Sequence, residues 1–191
     1  MGLKKDDYDH IEKFKKFINS NNKISYRSKT KSYRFSFSDL KMYNDLINHG
    51  CLECKSLILK APNISHNLKR HFIRGYVDGD GCLTYRRNDP LSMTISIIGT
   101  EDILKFIYNS IFEDNDFVLL KDNRIYNEHT KYITLGREKS RIASYILYED
   151  SKIYLQRKFD RHILTKTAVL DRDIHYYDRV KSVKSEMTIP R

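Results

Sequence analysis

From Tyr8 onward the apolar residues fall at Tyr8, Ile11, Phe14, Phe17 and Ile18, the spacing of one helix face. Two stretches of strict alternation follow. In 23–27, Ile24 and Tyr26 alternate with Lys23, Ser25 and Arg27; in 33–38, Tyr33, Phe35 and Phe37 alternate with Arg34, Ser36 and Ser38. Period-2 patterning predicts strands with one apolar and one polar face, joined by a turn in the Lys29–Lys31 region. A second helix is predicted from Leu40, Tyr43, Leu46 and Ile47, with Ser38 or Asp39 as N-cap and Gly50 as C-cap.

The same order returns downstream. Thr100 caps a helix carrying Ile103, Leu104, Ile107, Tyr108 and Ile111; strand-like stretches 117–121 and 130–135 come next, then a helix with Ile142, Tyr145 and Ile146. Ahead of this second copy lie a helix over about 67–78 and strands over 82–87 and 91–98. Ahead of the first copy lie only residues 1–7, whose acidic pair Asp6-Asp7 has no preceding apolar stripe or glycine. The chain therefore divides into a partial helix–strand–strand–helix repeat (1–65), a full repeat (66–160) and a basic C-terminal extension (161–191). The expected class is α+β, with antiparallel sheets packed on helices.

Composition adds a partner. Of 191 residues, 35 are Lys or Arg and 25 Asp or Glu, a formal net charge of +10, and the sequence pI is near 9.4. Such an excess suits a polyanion, since cations that neutralise phosphates release condensed counterions. A hydrophobic content of 40% with 14 Tyr and 9 Phe is enough for a packed core and excludes global disorder. No apolar run approaches the ~18 residues of a bilayer span, so no membrane partner is expected. Three cysteines cannot close a disulfide framework, which points to a reducing, cytoplasmic setting.

The most informative segment is His71-Phe-Ile-Arg-Gly-Tyr-Val-Asp-Gly-Asp-Gly81. Leu68, Phe72 and Tyr76 are expected to bury one helix face. A mid-helix glycine such as Gly75 costs about 1 kcal/mol against Ala unless something approaches the backbone closely there. Asp78-Gly79-Asp80-Gly81 ends the helix and leads into a strand, which places two carboxylates at a helix end.

The run from Ile73 to Gly81 resembles the LAGLIDADG signature of homing endonucleases: Gly75 matches the first glycine, Asp78 the first aspartate and Asp80-Gly81 the terminal pair. Gly50-Cys-Leu-Glu-Cys-Lys-Ser56 resembles the segment that often precedes a second signature, and Tyr154-Leu-Gln-Arg-Lys158 resembles the close of the second repeat. The resemblance covers roughly residues 7–160. It implies an αββαββα repeat with curved sheets, and a site-specific DNA endonuclease that hydrolyses phosphodiester bonds with a divalent metal, magnesium or manganese. It implies that Asp80 is a catalytic metal ligand and that Asp78 is structural. Phe72, Gly75, Tyr76 and Gly79 would form a helix–helix interface, and a basic residue at the start of the last helix, Lys139 (with Lys55 less direct), would stand near the metal. A mobile intron, an intein-like element or a phage genome is the implied setting.

One signature is present where a two-repeat enzyme needs two. Three arrangements are open: a homodimer through the 67–79 helix, a split-partner chain that supplies the other signature, or a relic that binds without cutting. The rival class is a non-catalytic DNA-binding regulator or an intron-RNA-binding splicing protein on the same scaffold.

If the apolar strand residues face the helices, the opposite residues face double-stranded DNA: Lys23, Ser25, Arg27, Arg34 and Ser36 from the partial copy, and Thr84, Arg86, Ser92, Thr94 and Ser96 from the full one. Tyr132 and Thr134 join them in one of the two phases open to 131–135. Arg takes guanine bidentately, and Ser or Thr serves several bases. Cys51-Leu-Glu-Cys54 has half the spacing of a zinc site but no second knuckle. The tail after Arg161 is read as an arm along the DNA backbone or a frayed terminus.

Overall fold

The structure is a computed structural model that describes residues 1–53, 57–112, 116–121 and 131–185. Lys55 and Cys54 lie outside the described residues.

The first copy begins with a short strand, β1 (Gly2–Lys4), and a 3-10 turn over Lys5–Asp7 that leads into α1 (Tyr8–Phe17). β2 (Ile24–Arg27) and β3 (Ser32–Phe35) form a hairpin, and α2 (Leu40–Asn48) follows. Asp39 caps α2 by accepting the Met42 N–H at 2.8 Å. Gly50, at φ +81, takes the left-handed conformation past its end. The second copy runs α3 (His66–Asp80), β4 (Gly81–Arg86), β5 (Asp89–Gly99), α4 (Glu101–Ile111), β6 (Leu120–Lys121), β7 (Lys131–Leu135) and α5 (Arg137–Tyr148). Two further helices, α6 (Gln156–Leu170) and α7 (Tyr176–Ser185), complete the described chain. None of the described helices is long and apolar enough to cross a membrane.

The two sheets are built to one plan. Both are antiparallel, in the orders β1-β3-β2 and β4-β5-β7-β6. With β1 set on β5, β3 on β7 and β2 on β6, the orders coincide, and the full copy has one strand more, β4, on the outer side of β5. β1 carries only one apolar side chain, Leu3, too few to show as alternation, so it was invisible to periodicity.

The main core lies in the full copy. Met93, Ile95 and Ile97 of β5 and Ile133 and Leu135 of β7 are buried against Ile103, Leu104 and Ile107 of α4, Ala143, Leu147 and Tyr148 of α5, and Ile73 and Val77 of α3. At about 1.5–3 kcal/mol for each fully buried aliphatic side chain, this cluster dominates the stability. The partial copy is thinner: Ile11 and Phe35 are buried, with Phe35 stacked on Phe37 at 5.6 Å and Phe14 edge-on at 6.2 Å. It docks on the start of α6, where Arg157 pairs with buried Asp7 at 3.3 Å and Lys13 sits 5.1 Å over the Tyr154 ring.

The C-terminal boundary differs from the expected one. Helix α6 runs through residue 160 without a break and buries Lys158, His162, Thr165 and Val169. Val169 and Tyr177 join Leu91 and Tyr145 in a second cluster. Residues 161–180 are therefore part of the fold. Polar contacts also hold α6, such as Ser144 Oγ to His162 Nδ1 at 3.0 Å.

Candidate DNA-reading face and acidic cleft

Helix α3 is fastened along one side by hydrogen bonds. Arg74, buried, donates from Nε to the Ile153 carbonyl at 2.8 Å and from a terminal nitrogen to the Leu147 carbonyl at 3.1 Å; Arg70 donates to the Glu149 carbonyl. Asp78, also buried, accepts the Tyr148 hydroxyl at 2.7 Å and the Leu155 N–H at 3.0 Å. Burial pushes the Asp78 pKa up, against the pull of those donors and of Lys158. The buried stripe is thus Ile73, Arg74, Val77 and Asp78. The expected Leu68-Phe72-Tyr76 stripe is rotated outward, with Leu68 exposed and Phe72 and Tyr76 half-buried. Two charged residues inside a buried face escape apolar periodicity because their partners, not their side chains, make burial tolerable.

Lys158 closes the end of this helix. It is 2% exposed, and its ammonium donates to the carbonyls of Val77, Asp78 and Gly81 at 2.5, 2.8 and 2.7 Å. Three N–H groups thereby meet three acceptors, two of them carbonyls of the last turn of α3, and the Val77 carbonyl also accepts the Gly81 N–H. Burial draws the Lys158 pKa down to about 8, which leaves it mostly charged at neutral pH. Gly81 begins β4 where the chain passes close to the helix: a Cβ there would meet the Val77 carbonyl at 2.6 Å.

Between Asp78 and Gly81 the chain presents Asp80 outward. Asp80 is exposed and lines a cleft of about 460 Å3 with Phe72, Gly75, Tyr76 and Gly79 of α3, Ile98 and Gly99 of β5, and His49, Gly50, Cys51, Leu59, Lys60 and Pro62. The four helix-interface candidates, Phe72, Gly75, Tyr76 and Gly79, all face this one cleft. Tyr76 donates to the Ile98 carbonyl at 2.9 Å, and burial, with Asp80 adding, pushes its pKa up to about 12. A Cβ added at Gly75 or Gly79 would meet nothing within 4 Å, so nothing among the described residues requires glycine there.

Lys139 stands elsewhere. It donates to the Tyr108 hydroxyl and to Asp116 at 3.1 Å and lies over the Tyr108 and Phe112 rings; it does not line the Asp80 cleft. The basic residue at the α3 end is Lys158, which the sequence showed only as the close of Tyr154-Leu-Gln-Arg-Lys158. Among the described residues no group of three or more His, Cys, Asp or Glu could hold a metal ion. Asp80 can supply one hard oxygen ligand, so by itself it makes part of a magnesium site.

The strand phases place the polar face where alternation puts it. In the four-stranded sheet Thr84 pairs with Thr94, and Ser96 with both Cys82 and Thr134; the hydroxyls of Thr84 and Thr94 lie 2.9 Å apart and those of Ser96 and Thr134 3.0 Å. Tyr132 shares this face through its pairing with Ile98, and buried Ile133 and Leu135 settle the phase of 131–135. Arg86 is exposed at the hairpin end. Ser92 does not belong to the face. The ladder shifts between Thr84 and Arg86, and Ser92, 5% exposed, accepts the Arg86 N–H at 2.7 Å and lies within hydrogen-bonding reach of the Arg86 and Asp89 carbonyls. A bulge of this kind turns one residue out of phase.

In the three-stranded sheet Ser25 pairs with Arg34, and Arg27 with Ser32. Lys4 of β1 pairs with Ser32 and so joins this face. Lys23 and Ser36 are exposed just outside the strands. Lys4, Ser32 and Cys82 are additions to the expected set. Period 2 already contained both: Ser32 lies one residue beyond the 33–38 stretch, and Cys82 is the first residue of the expected 82–87 strand.

The chain matches no family model and no curated protein. Solved structures do match it. The LAGLIDADG homing endonuclease I-LtrWI, bound to target DNA, aligns over 100% of this chain and 86% of its own at TM-score 0.59 and 10% identity. Meganuclease I-SmaMI, bound to uncleaveable DNA with a TTCT central four, aligns over 100% and 87% at TM-score 0.56 and 12% identity. The fold is that of the LAGLIDADG homing endonucleases, and the repeat order read from the sequence is the order of this fold.

Proposed function

We propose that the chain is a site-specific DNA endonuclease of the homing type, which binds double-stranded DNA through its two polar sheet faces and cuts it at Asp80. The observation that carries this reading is the division of labour at the end of α3: Asp78 is buried and hydrogen-bonded, and Asp80, two residues on, is exposed on a cleft floored by glycines. Arg27, Arg34 and Arg86 with their neighbouring hydroxyls have the chemistry to contact phosphates and base edges. Among the solved structures similar in fold, that of I-LtrWI is bound to target DNA and that of I-SmaMI to uncleaveable DNA.

Asp80 would be one ligand of a divalent ion, magnesium or manganese, shared with a second carboxylate from a helix set against Gly75 and Gly79 and with phosphate oxygens. A bound divalent ion supplies charge neutralisation at the phosphodiester and an activated water. The chain's own residues do the rest. Lys158 fixes the carbonyls around Asp80 and so the direction in which its carboxylate points; Tyr148 and the Leu155 N–H hold Asp78 away from the cleft. The second helix comes from a homodimer or from a separate segment.

A second reading rests on a specific observation: among the described residues that line the cleft, Asp80 is the one carboxylate. On that reading the chain binds nucleic acid and does not cut. The test is selection of bound duplexes from a randomised library at fixed salt, followed by magnesium. Cleavage of the selected duplex that is lost in Asp80→Asn supports the endonuclease. Tight, sequence-specific binding with no cleavage under any partner condition supports the binder.

A further inference from the structure

The two polar sheet faces differ in what they carry. In the three-stranded sheet the ladder sets Gly2, Arg34 and Ser25 in one row and Lys4, Ser32 and Arg27 in the next. Lys4, Arg27 and Arg34 are exposed. Among the described residues none of the three is held in an ion pair, so their charges are available to an outside partner.

The four-stranded sheet sets Cys82, Ser96 and Thr134 in one row and Thr84 and Thr94 in the next. Neither row holds a charged side chain; Arg86 lies beyond them, at the hairpin end. The hydroxyls bond one another, Thr84 to Thr94 at 2.9 Å and Ser96 to Thr134 at 3.0 Å. In each pair one hydroxyl donates to the other, so a single O–H donor per pair is left for anything outside. What the rows offer besides is apolar: three threonine methyls and the exposed Cys82 thiol, which behaves as a small hydrophobe.

In the major groove Arg takes O6 and N7 of guanine bidentately, whereas a threonine methyl makes apolar contact with the C5-methyl of thymine. We infer that the two faces read opposite kinds of base: Arg27 and Arg34 take guanines, and Thr84, Thr94 and Thr134 take thymines by their methyls. This rests on the reading above, that both faces lie on duplex DNA, and names the bases each face selects. The target is then asymmetric, with guanines in one half and thymines in the other, and Arg86 adds a guanine at the margin of the thymine half. Runs of A·T also attract proteins through a narrow minor groove, so the methyl itself has to be tested.

The test uses duplexes selected from a randomised library by the full chain and then rebuilt with altered bases. Deoxyuridine in place of thymine removes only the C5-methyl, and 7-deazaguanine in place of guanine removes only the N7 acceptor. Deoxyuridine throughout the thymine half should weaken binding by about fivefold or more. In the other half, 7-deazaguanine should weaken it by roughly tenfold or more. Thr94→Ser keeps the hydroxyl and deletes the methyl, so it should bind thymine and deoxyuridine alike at one position. Arg34→Ala should accept any base in place of one guanine in the opposite half. Full affinity for the deoxyuridine duplexes overturns the methyl readout, even if thymines are selected. Guanine preferences that move with neither Arg27→Ala nor Arg34→Ala overturn the arginine readout. Failure to select any sequence removes the DNA-reading faces themselves, a result distinct from the other two.

Discussion

Tyr148 donates its hydroxyl to Asp78 at 2.7 Å from inside the core, and that bond separates the two carboxylates at the end of α3. With the Leu155 N–H as second donor, Asp78 ties the helix end to α5 and to the start of α6. Asp78→Ala should leave the Tyr148 hydroxyl and the Leu155 N–H buried without a partner, a loss of about 1–3 kcal/mol for each unsatisfied group. Chemical denaturation measures it. Asp80→Asn, at an exposed position, should unfold with the wild-type midpoint; a midpoint shift equal to that of Asp78→Ala would remove the distinction.

Gly75 sits inside a helix with open space where its side chain would be. Gly75→Ala should therefore stabilise the chain by roughly 0.5–1 kcal/mol through helix propensity and a less flexible unfolded state. The same change should weaken whatever packs on α3 from the cleft side. Destabilisation of the free chain would show that the glycine serves the fold.

The sheet face separates in the same way. Arg86→Ala should weaken specific duplex binding by about 1–3 kcal/mol at fixed salt while the melting temperature holds. Ser92→Ala should do the reverse, because its hydroxyl completes the interrupted ladder at Arg86. A binding titration and a thermal melt on both variants decide the matter; affinity lost in Ser92→Ala without loss of stability would return Ser92 to the DNA-reading set.

His162 is buried beside Ser144 and Glu149, and burial holds its pKa below the usual histidine value. The unfolded chain then binds a proton near pH 6.5 that the folded chain refuses. The stability this represents is present above pH 6.5 and is lost as pH falls through the lowered value. Wild type should lose more stability than His162→Gln between pH 7 and pH 5, and parallel curves would contradict it.

Much of this was legible in the sequence. Alternation alone located Thr84, Thr94, Ser96 and Arg34, because a half-buried strand must separate its faces. The signature run located the helix end and its two acids. What escaped notice was polar burial. Arg74, Asp78 and Lys158 are inside because carbonyls, a hydroxyl and an amide meet them, and those partners lie 70 or more residues away along the chain. Ser92 was misplaced because a bulge breaks period 2, and Lys139 because its spacing from the sheet says nothing about which helix end it faces. The stripe on α2 was read correctly as apolar; that it lies uncovered is visible only in three dimensions.

The central claim is that Asp80 is the reacting end of α3 and Asp78 its anchor. The most direct measurement is magnesium-dependent cleavage of a library-selected duplex, in wild type and in Asp80→Asn. The account predicts equal duplex binding by both and cleavage by wild type alone. Cleavage that persists in Asp80→Asn would contradict it.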